Sequence, residues 1–255
     1  MVELFHRDSG GGAQAVVLAH AIGCDHRMWD ALAARLAARF RVVRFDARGH
    51  GRSPVPPRPY SLEELAEDAH GLIDRLGLEK AHWVGLSMGA MIGMAFALAH
   101  PQRLGRLVLA NTTSSYGPEG RAMWRARAKA VEDGGLEAIE PLVMNRYFSD
   151  EFRAAHPDAV AIVSKRFLET PVEGYLGCCD AIAELDFSRE LGGIHARTLV
   201  IAGALDAGTP PAMSQAIADR IPGALMTVIP GAAHLSAAEK PEEFATLVES
   251  FLVAP

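Results

Sequence analysis

The segment Gly85-Leu86-Ser87-Met88-Gly89 stands between a short apolar run, Ala81-His82-Trp83-Val84, and a helix-like stretch at residues 90–99. Few settings constrain a chain more. A strand that turns into a helix within five residues leaves room only for small side chains beside the turn, so glycines flank the serine. In return the serine hydroxyl is held clear at the end of a sheet. The pattern G-x-S-x-G is weak by itself; the strand before it and the helix after it give it meaning.

The remainder of the chain supplies such a sheet. Short, nearly continuous apolar runs at residues 15–19, 42–45, 81–86, 106–110, 198–202 and 226–229 read as strands buried on both faces. Residues 2–6 read as an added edge strand. Helical patterns lie between the runs, at 28–38, 61–76, 90–99, 211–221 and 241–252. Ser61-Leu62-Glu63-Glu64 is a capping box, and Pro241 suits the first turn of the last helix. Strand–helix alternation of this kind predicts an α/β fold with a mostly parallel twisted sheet and helices on both faces. The alternation stops between Gly117 and Arg189, where about 70 residues read as helical throughout. That is too long for a plain loop. The expected organisation is a core at 1–116 and 190–255 and a helical cap at 117–189, over the strand ends where open α/β sheets bind ligands.

Composition narrows the function classes. With 255 residues the chain can hold one large α/β domain with an insertion. A net charge of -6 with no basic run argues against nucleic acid as a partner. No apolar stretch is long enough to span a membrane and no leader pattern opens the chain, so no membrane partner is expected and the expected location is cytoplasmic. Cys24, Cys178 and Cys179 form no disulfide framework and lack the spacing of a metal pair, so they read as packed small hydrophobes. A homo-oligomer is compatible with the sequence.

A serine hydroxyl needs a base, and the base needs an orienting carboxylate. In a sheet of this type they follow in the order Ser, Asp or Glu, His, each just after a late strand. His234 follows the run at 226–229; His100, His156 and His195 do not have that placement. Asp206 follows the run at 198–202, before Thr209-Pro210-Pro211 opens a helix. Its structural alternative is a turn cap. Asp219 falls inside a predicted helix. For the developing oxyanion, the backbone N–H groups of Met88 and of Ile22, in the loop His20-Ala21-Ile22-Gly23, are the expected donors. His20 reads as a loop-shaping hydrogen bonder, and Asp46 to Ser53 as a supporting turn.

Together these pieces resemble the α/β-hydrolase fold family. Within residues 117–189, Trp124, Arg127, Val131 and Gly135, then Tyr147-Phe148, Phe152, His156-Pro157, Thr170-Pro171, Gly174-Tyr175, Cys178-Cys179 and Ala181-Ile182 follow an order similar to that of the 3-oxoadipate enol-lactonases of bacterial aromatic-acid degradation. The resemblance implies attack by Ser87 on a lactone carbonyl, with His234 and Asp206 assisting and no cofactor or metal. Members of that family often carry Asn-Ser-Leu-Gly where this chain has His20-Ala21-Ile22-Gly23, and a histidine there is common among general esterases of the fold. The implied substrate is an anionic lactone, so the pocket should offer a positive group or several N–H donors. Trp124, Arg127 and Val131 share one helix face, which puts an aromatic wall beside a guanidinium. Arg127 is the candidate carboxylate partner; its alternatives are an ion pair with Glu132 or a solvent-facing position. Arg121 and Arg125 read as solvated. Trp124 and Tyr147 are candidates for the pocket wall or for packing within the helices. A carboxylesterase, another lactonase or a carbon–carbon bond hydrolase would use the same three residues, and a non-catalytic binding protein is the third alternative.

Overall fold

A computed structural model describes residues 1–254. Seven strands form one sheet: β1 (His6–Asp8), β2 (Ala15–Ala19), β3 (Arg41–Phe45), β4 (Ala81–Leu86), β5 (Leu104–Ala110), β6 (Thr198–Gly203) and β7 (Leu225–Ile229). Their order is β1-β3-β2-β4-β5-β6-β7; β1 is antiparallel to β3 and all other pairs are parallel. The central strands β2, β4 and β6 are buried at every residue, which explains their nearly continuous apolar character. The expected edge strand at 2–6 is displaced: pairing runs from His6↔Phe45 to Asp8↔Val43. The earlier amides have other partners, since Val2 N–H donates to the Asp68 carboxylate and Phe5 N–H to the Ser53 hydroxyl.

The helices of the sheet layers are α1 (Asp30–Leu36), α2 (Leu62–Arg75) and α3 (Met88–Ala99), before the long insertion described below. The helix expected from residue 28 is preceded by a short 3-10 turn, His26–Trp29, because the Asp25 side chain caps Arg27 N–H and starts the turn early. Helix α2 carries the reciprocal Ser61/Glu64 capping box. Helix α3 is apolar all round and lies buried under the sheet's centre, against α2, β4 and β5.

Between β5 and β6 the described chain is helical: α4 (Pro118–Gly134), α5 (Glu140–Tyr147), α6 (Asp150–Ala155), α7 (Pro157–Leu168) and α8 (Val172–Ala183). An isolated bridge, Ser115↔Asp186, joins the two ends of this insertion. Helix α4 packs along α8. Helix α8 meets the sheet layers at Gly174, whose backbone lies directly on that of Gly49; a Cβ on either residue would overlap the other's main chain.

After β6 come α9 (Pro211–Ala218), α10 (Ser236–Glu239) and α11 (Pro241–Val253). Helix α9 is shorter than the expected 211–221, with Asp219 at its C-cap, because Pro222 has no N–H to continue it. Helices α1 and α11 pack together. Among the described residues no helix is long and apolar enough to cross a membrane.

Candidate active site

Ser87 closes β4 and opens α3. Its backbone is held at φ 55° and ψ −116°, a conformation rare for a residue with a side chain. Four hydrogen bonds fix it there. Its N–H donates to Ala110 O (2.8 Å), its own carbonyl accepts from Thr112 Oγ1 (3.1 Å), and Ala90 and Met91 N–H groups bond back to it (3.0 Å each). Trp83 Nε1–H donates to Gly89 O at 3.0 Å, tying the strand to the helix start. A Cβ at Gly85 would overlap the Gly89 carbonyl, and one at Gly89 would overlap the Ala19 carbonyl, so both flanking glycines are required by close approach.

Asp206 follows β6 and His234 follows β7. His234 Nδ1 lies 2.8 Å from Asp206 Oδ2, with both side chains buried. Asp206 is saturated with donors. Oδ1 accepts from Gly208 and Thr209 N–H (2.9 Å each); Oδ2 accepts from Thr209 Oγ1 (2.8 Å) and Asn111 Nδ2 (3.1 Å) as well as from the histidine. One oxygen therefore caps the turn while the other holds His234, so the two sequence readings of Asp206 coexist. Burial by itself would raise the Asp206 pKa. The His234 charge and hydrogen bond, then the Thr209 N–H and the Asn111 amide, outweigh it and hold the carboxyl well below the usual carboxylate range. With Nδ1 engaged, Nε2 is the ring atom left for chemistry. Among the described residues neither Nε2 of His234 nor Oγ of Ser87 has a hydrogen-bond partner, as is common before substrate binds.

Asn111 was not singled out in the sequence. It sits at φ 47° just past β5, bonds Asp206 and Ala233 O (3.1 Å), and receives Ser236 Oγ–H at 2.5 Å. Its signal was its place: a polar run, Asn111-Thr112-Thr113, begins where a buried strand ends.

The expected oxyanion donors have the right freedom. Among the described residues the Met88 and Ile22 N–H groups bond to no acceptor. Met88 N–H is also the first of helix α3, where the helix dipole favours negative charge. The loop before it is built by two histidines. His20 Nε2 accepts from Ala47 N–H (2.9 Å) and His50 Nε2 accepts from Gly23 N–H (2.9 Å). Burial lowers the pKa of His20, and burial reinforced by His20 pushes His50 down to about 3, so both rings are acceptors at neutral pH. The turn after β3 supports this loop. Asp46 accepts from His26 and from Arg52 N–H, and Arg48 forms a buried bridge to Asp68 at 2.5 Å.

The candidates in the insertion divide by their partners. Trp124 is buried in α4, with the Arg127 guanidinium 4.9 Å from its ring centre. Arg127 Nε–H donates to Tyr175 OH at 2.7 Å, but its Nη2 is buried with no partner. Glu132, the acid considered for it, pairs with Arg58 instead (2.8 Å). Arg121 and Arg125 both pair with Glu184. Trp124 Nε1 and the hydroxyl of Tyr116 are buried and short of a well-formed hydrogen bond; Tyr116 meets Trp124 edge-on at 6.1 Å, and the Trp124 and Arg146 side chains face its hydroxyl. Tyr116 lies within electrostatic reach of Asp206. Arg127 Nη2 is thus a buried donor that its surroundings would normally satisfy. Tyr147 is fully buried and stacks on the His234 ring at 5.7 Å and 20°.

Two clusters could offer several ligand atoms to a metal, Glu67/His70/His100 and Asp25/His26/Asp46. Neither includes Ser87, Asp206 or His234. In the first the two imidazoles stack face to face at 3.9 Å and Arg103 lies on His70 Nε2; the second is closed by its own hydrogen bonds. A cavity of about 350 Å³ lined by Arg7, Cys24, Arg27, Arg52 and Arg166 lies behind the His20–Gly23 loop, away from the serine.

Residues 14–241 match the model of a family described as the alpha/beta hydrolase fold. The chain is 34% identical to 3-oxoadipate enol-lactonase 2 of Acinetobacter baylyi, over 93% of this chain and 88% of that protein. It is 33% identical to a Caulobacter segnis protein provisionally named carbamate hydrolase RutD, over 91% of this chain and 89% of the relative. The crystal structure of the enol-lactonase from Burkholderia xenovorans superposes with a TM-score of 0.94 at 36% identity, covering 98% of this chain and 96% of that one.

Proposed function

Because the chain belongs to the alpha/beta hydrolase fold family, we propose that it is a serine hydrolase that opens 3-oxoadipate enol-lactone to 3-oxoadipate through an acyl-enzyme. Ser87 Oγ attacks the lactone carbonyl while His234 Nε2 takes its proton; Asp206 keeps the ring in the required tautomer and stabilises its charged form. The Ile22 and Met88 N–H groups receive the oxyanion. Collapse breaks the ring C–O bond, and His234 returns the proton to the leaving enol oxygen. A water deprotonated by His234 then attacks the ester and frees 3-oxoadipate and the serine.

One observation carries the substrate class. The Arg127 guanidinium is charged at every accessible pH, its Nη2 is buried, and no acid faces it among the described residues. A buried guanidinium with no acid beside it favours a ligand that supplies the anion. With the Trp124 ring 4.9 Å from the guanidinium, the surroundings suit a carboxylate carried on a small ring. The enol-lactone carries both.

Similarity to a provisionally named carbamate hydrolase favours a second reading, cleavage of an anionic carbamate by the same residues. Direct assay of the enol-lactone, with 3-oxoadipate detected as product, separates the readings. Efficient turnover is expected. Rapid cleavage of p-nitrophenyl esters or of carbamates with none of the lactone would overturn the first.

A further inference from the structure

Tyr147 was considered above as a wall of the substrate pocket. Its contacts describe a different task. The hydroxyl donates to the carbonyl oxygen of Ile22. The ring lies nearly parallel to that of His234. Its own carbonyl accepts from Leu235 N–H at 2.9 Å. The neighbouring Ser149 holds Glu239 Oε1 through its N–H and its hydroxyl (2.7 Å each), and Glu239 Oε2 accepts from Ala233 N–H. Both residues beside His234 are thus tied, directly or through one carboxylate, to the corner between α5 and α6.

The peptide joining Ile22 to Gly23 is gripped from both sides. Its N–H points to His50 Nε2 and its C=O to the Tyr147 hydroxyl. A peptide plane held at both ends cannot rotate. Holding it restrains ψ of Ile22 and so narrows the directions open to the preceding amide, the Ile22 N–H, which bonds to no acceptor among the described residues. One grip comes from the sheet layers and the other from the insertion.

We infer that Tyr147 is a positioning residue: its hydroxyl sets the oxyanion-binding amide of Ile22 in register with His234, so the helical insertion completes the reaction machinery as well as covering it. The inference rests on the serine-hydrolase reading above. A donor misplaced by about 1 Å loses on the order of a hundredfold in rate, and one removed loses 10²–10³-fold. Loss of the hydroxyl leaves the donor in place but loosely held, so Tyr147→Phe should lower kcat by about ten- to a hundredfold, with KM within about twofold.

The decisive measurement is the rate at which a fluorophosphonate labels Ser87, because the phosphoryl oxygen occupies the oxyanion position whatever the natural substrate is. Tyr147→Phe should be labelled at least about tenfold more slowly than the native chain. His50→Gln, which alters the other grip on the same peptide, should be slowed in the same sense. Thermal melts of both variants verify folding, and either folded variant alone decides. Native labelling rates in the folded variants, or a raised KM with unchanged kcat for Tyr147→Phe, would overturn the inference and return Tyr147 to the pocket wall. Ser87→Ala is the control on the underlying reading: label retained at another residue, with hydrolysis intact, would sink the serine mechanism and not the role of Tyr147 within it.

Discussion

The strand ends around Asp206 and the helix face around Arg127 treat polar groups in opposite ways. Asp206 is fully enclosed and accepts five hydrogen bonds. Across the insertion, Arg127 Nη2 is buried with none. A satisfied network is rigid and specific to one arrangement. An unsatisfied one is a mould with the casting removed. On the proposed function, the first region would serve any ester-like bond and the second would select the molecule that presents it, in keeping with a fold that hosts many activities.

Substitutions can break or sharpen this contrast. The largest effect belongs to Ser87→Ala, which should lower kcat by about 10⁵-fold or more on whichever ester or lactone the chain turns over; a rate near native would remove the first region from the chemistry. Asp206→Asn comes next, with a kcat loss of about 10⁴-fold from the wrong histidine tautomer. Steady-state rates for a variant with a native melting profile give this number, and a loss under tenfold would mean that Asp206 is only a turn cap. Arg127→Met should behave in the opposite manner. KM for an anionic lactone should rise about ten- to a hundredfold while neutral esters are unaffected, and the free protein should melt a few degrees higher because an unpaired buried charge is gone. A lower melting temperature would reveal that the guanidinium is already satisfied.

The smallest effect concerns two buried histidines, His50 beside the Ile22–Gly23 peptide and His82 near the start of β4. Burial holds His50 at about 3, and burial with the nearby Arg106 and Lys80 charges holds His82 at about 4. In the unfolded chain such rings protonate near pH 6.5. Between those values the unfolded state binds more protons, so their contribution to stability is full above pH 6.5 and is lost as pH falls toward 4 and then 3. For His50 the loss by pH 5 is about 2 kcal/mol. Urea midpoints at pH 7 and pH 5 should show it; equal midpoints would contradict the buried neutral state. Asp206, whose pKa is lowered, adds to acid sensitivity only below the ordinary carboxylate range.

Much of the first region was legible in the sequence. Period, glycine spacing and the order of Ser87, Asp206 and His234 are local properties, and the sheet converts order along the chain into neighbouring strand ends. Asn111 was missed because an asparagine after a strand has many ordinary uses; its partners, Asp206 and Ser236, lie 95 and 125 residues away. The second region was legible only in part. Helical spacing placed Arg127 beside Trp124, but no pattern states that Glu132 turns to Arg58 and leaves Arg127 without an acid. The Tyr147 hydroxyl could not be read at all, since its partner is a backbone carbonyl 125 residues earlier. Main-chain acceptors leave no trace in side-chain identity.

The contact between Gly49 and Gly174 bears on how such proteins could diversify. Main chain meets main chain there, with no side chain to rearrange if either position gains one. A foreign helical insertion grafted onto this sheet therefore needs a glycine at its own docking point, and a foreign sheet needs one to receive it. Recombination that carries only one of the pair sets a Cβ against main chain at this contact and forces the helix off the sheet layers there.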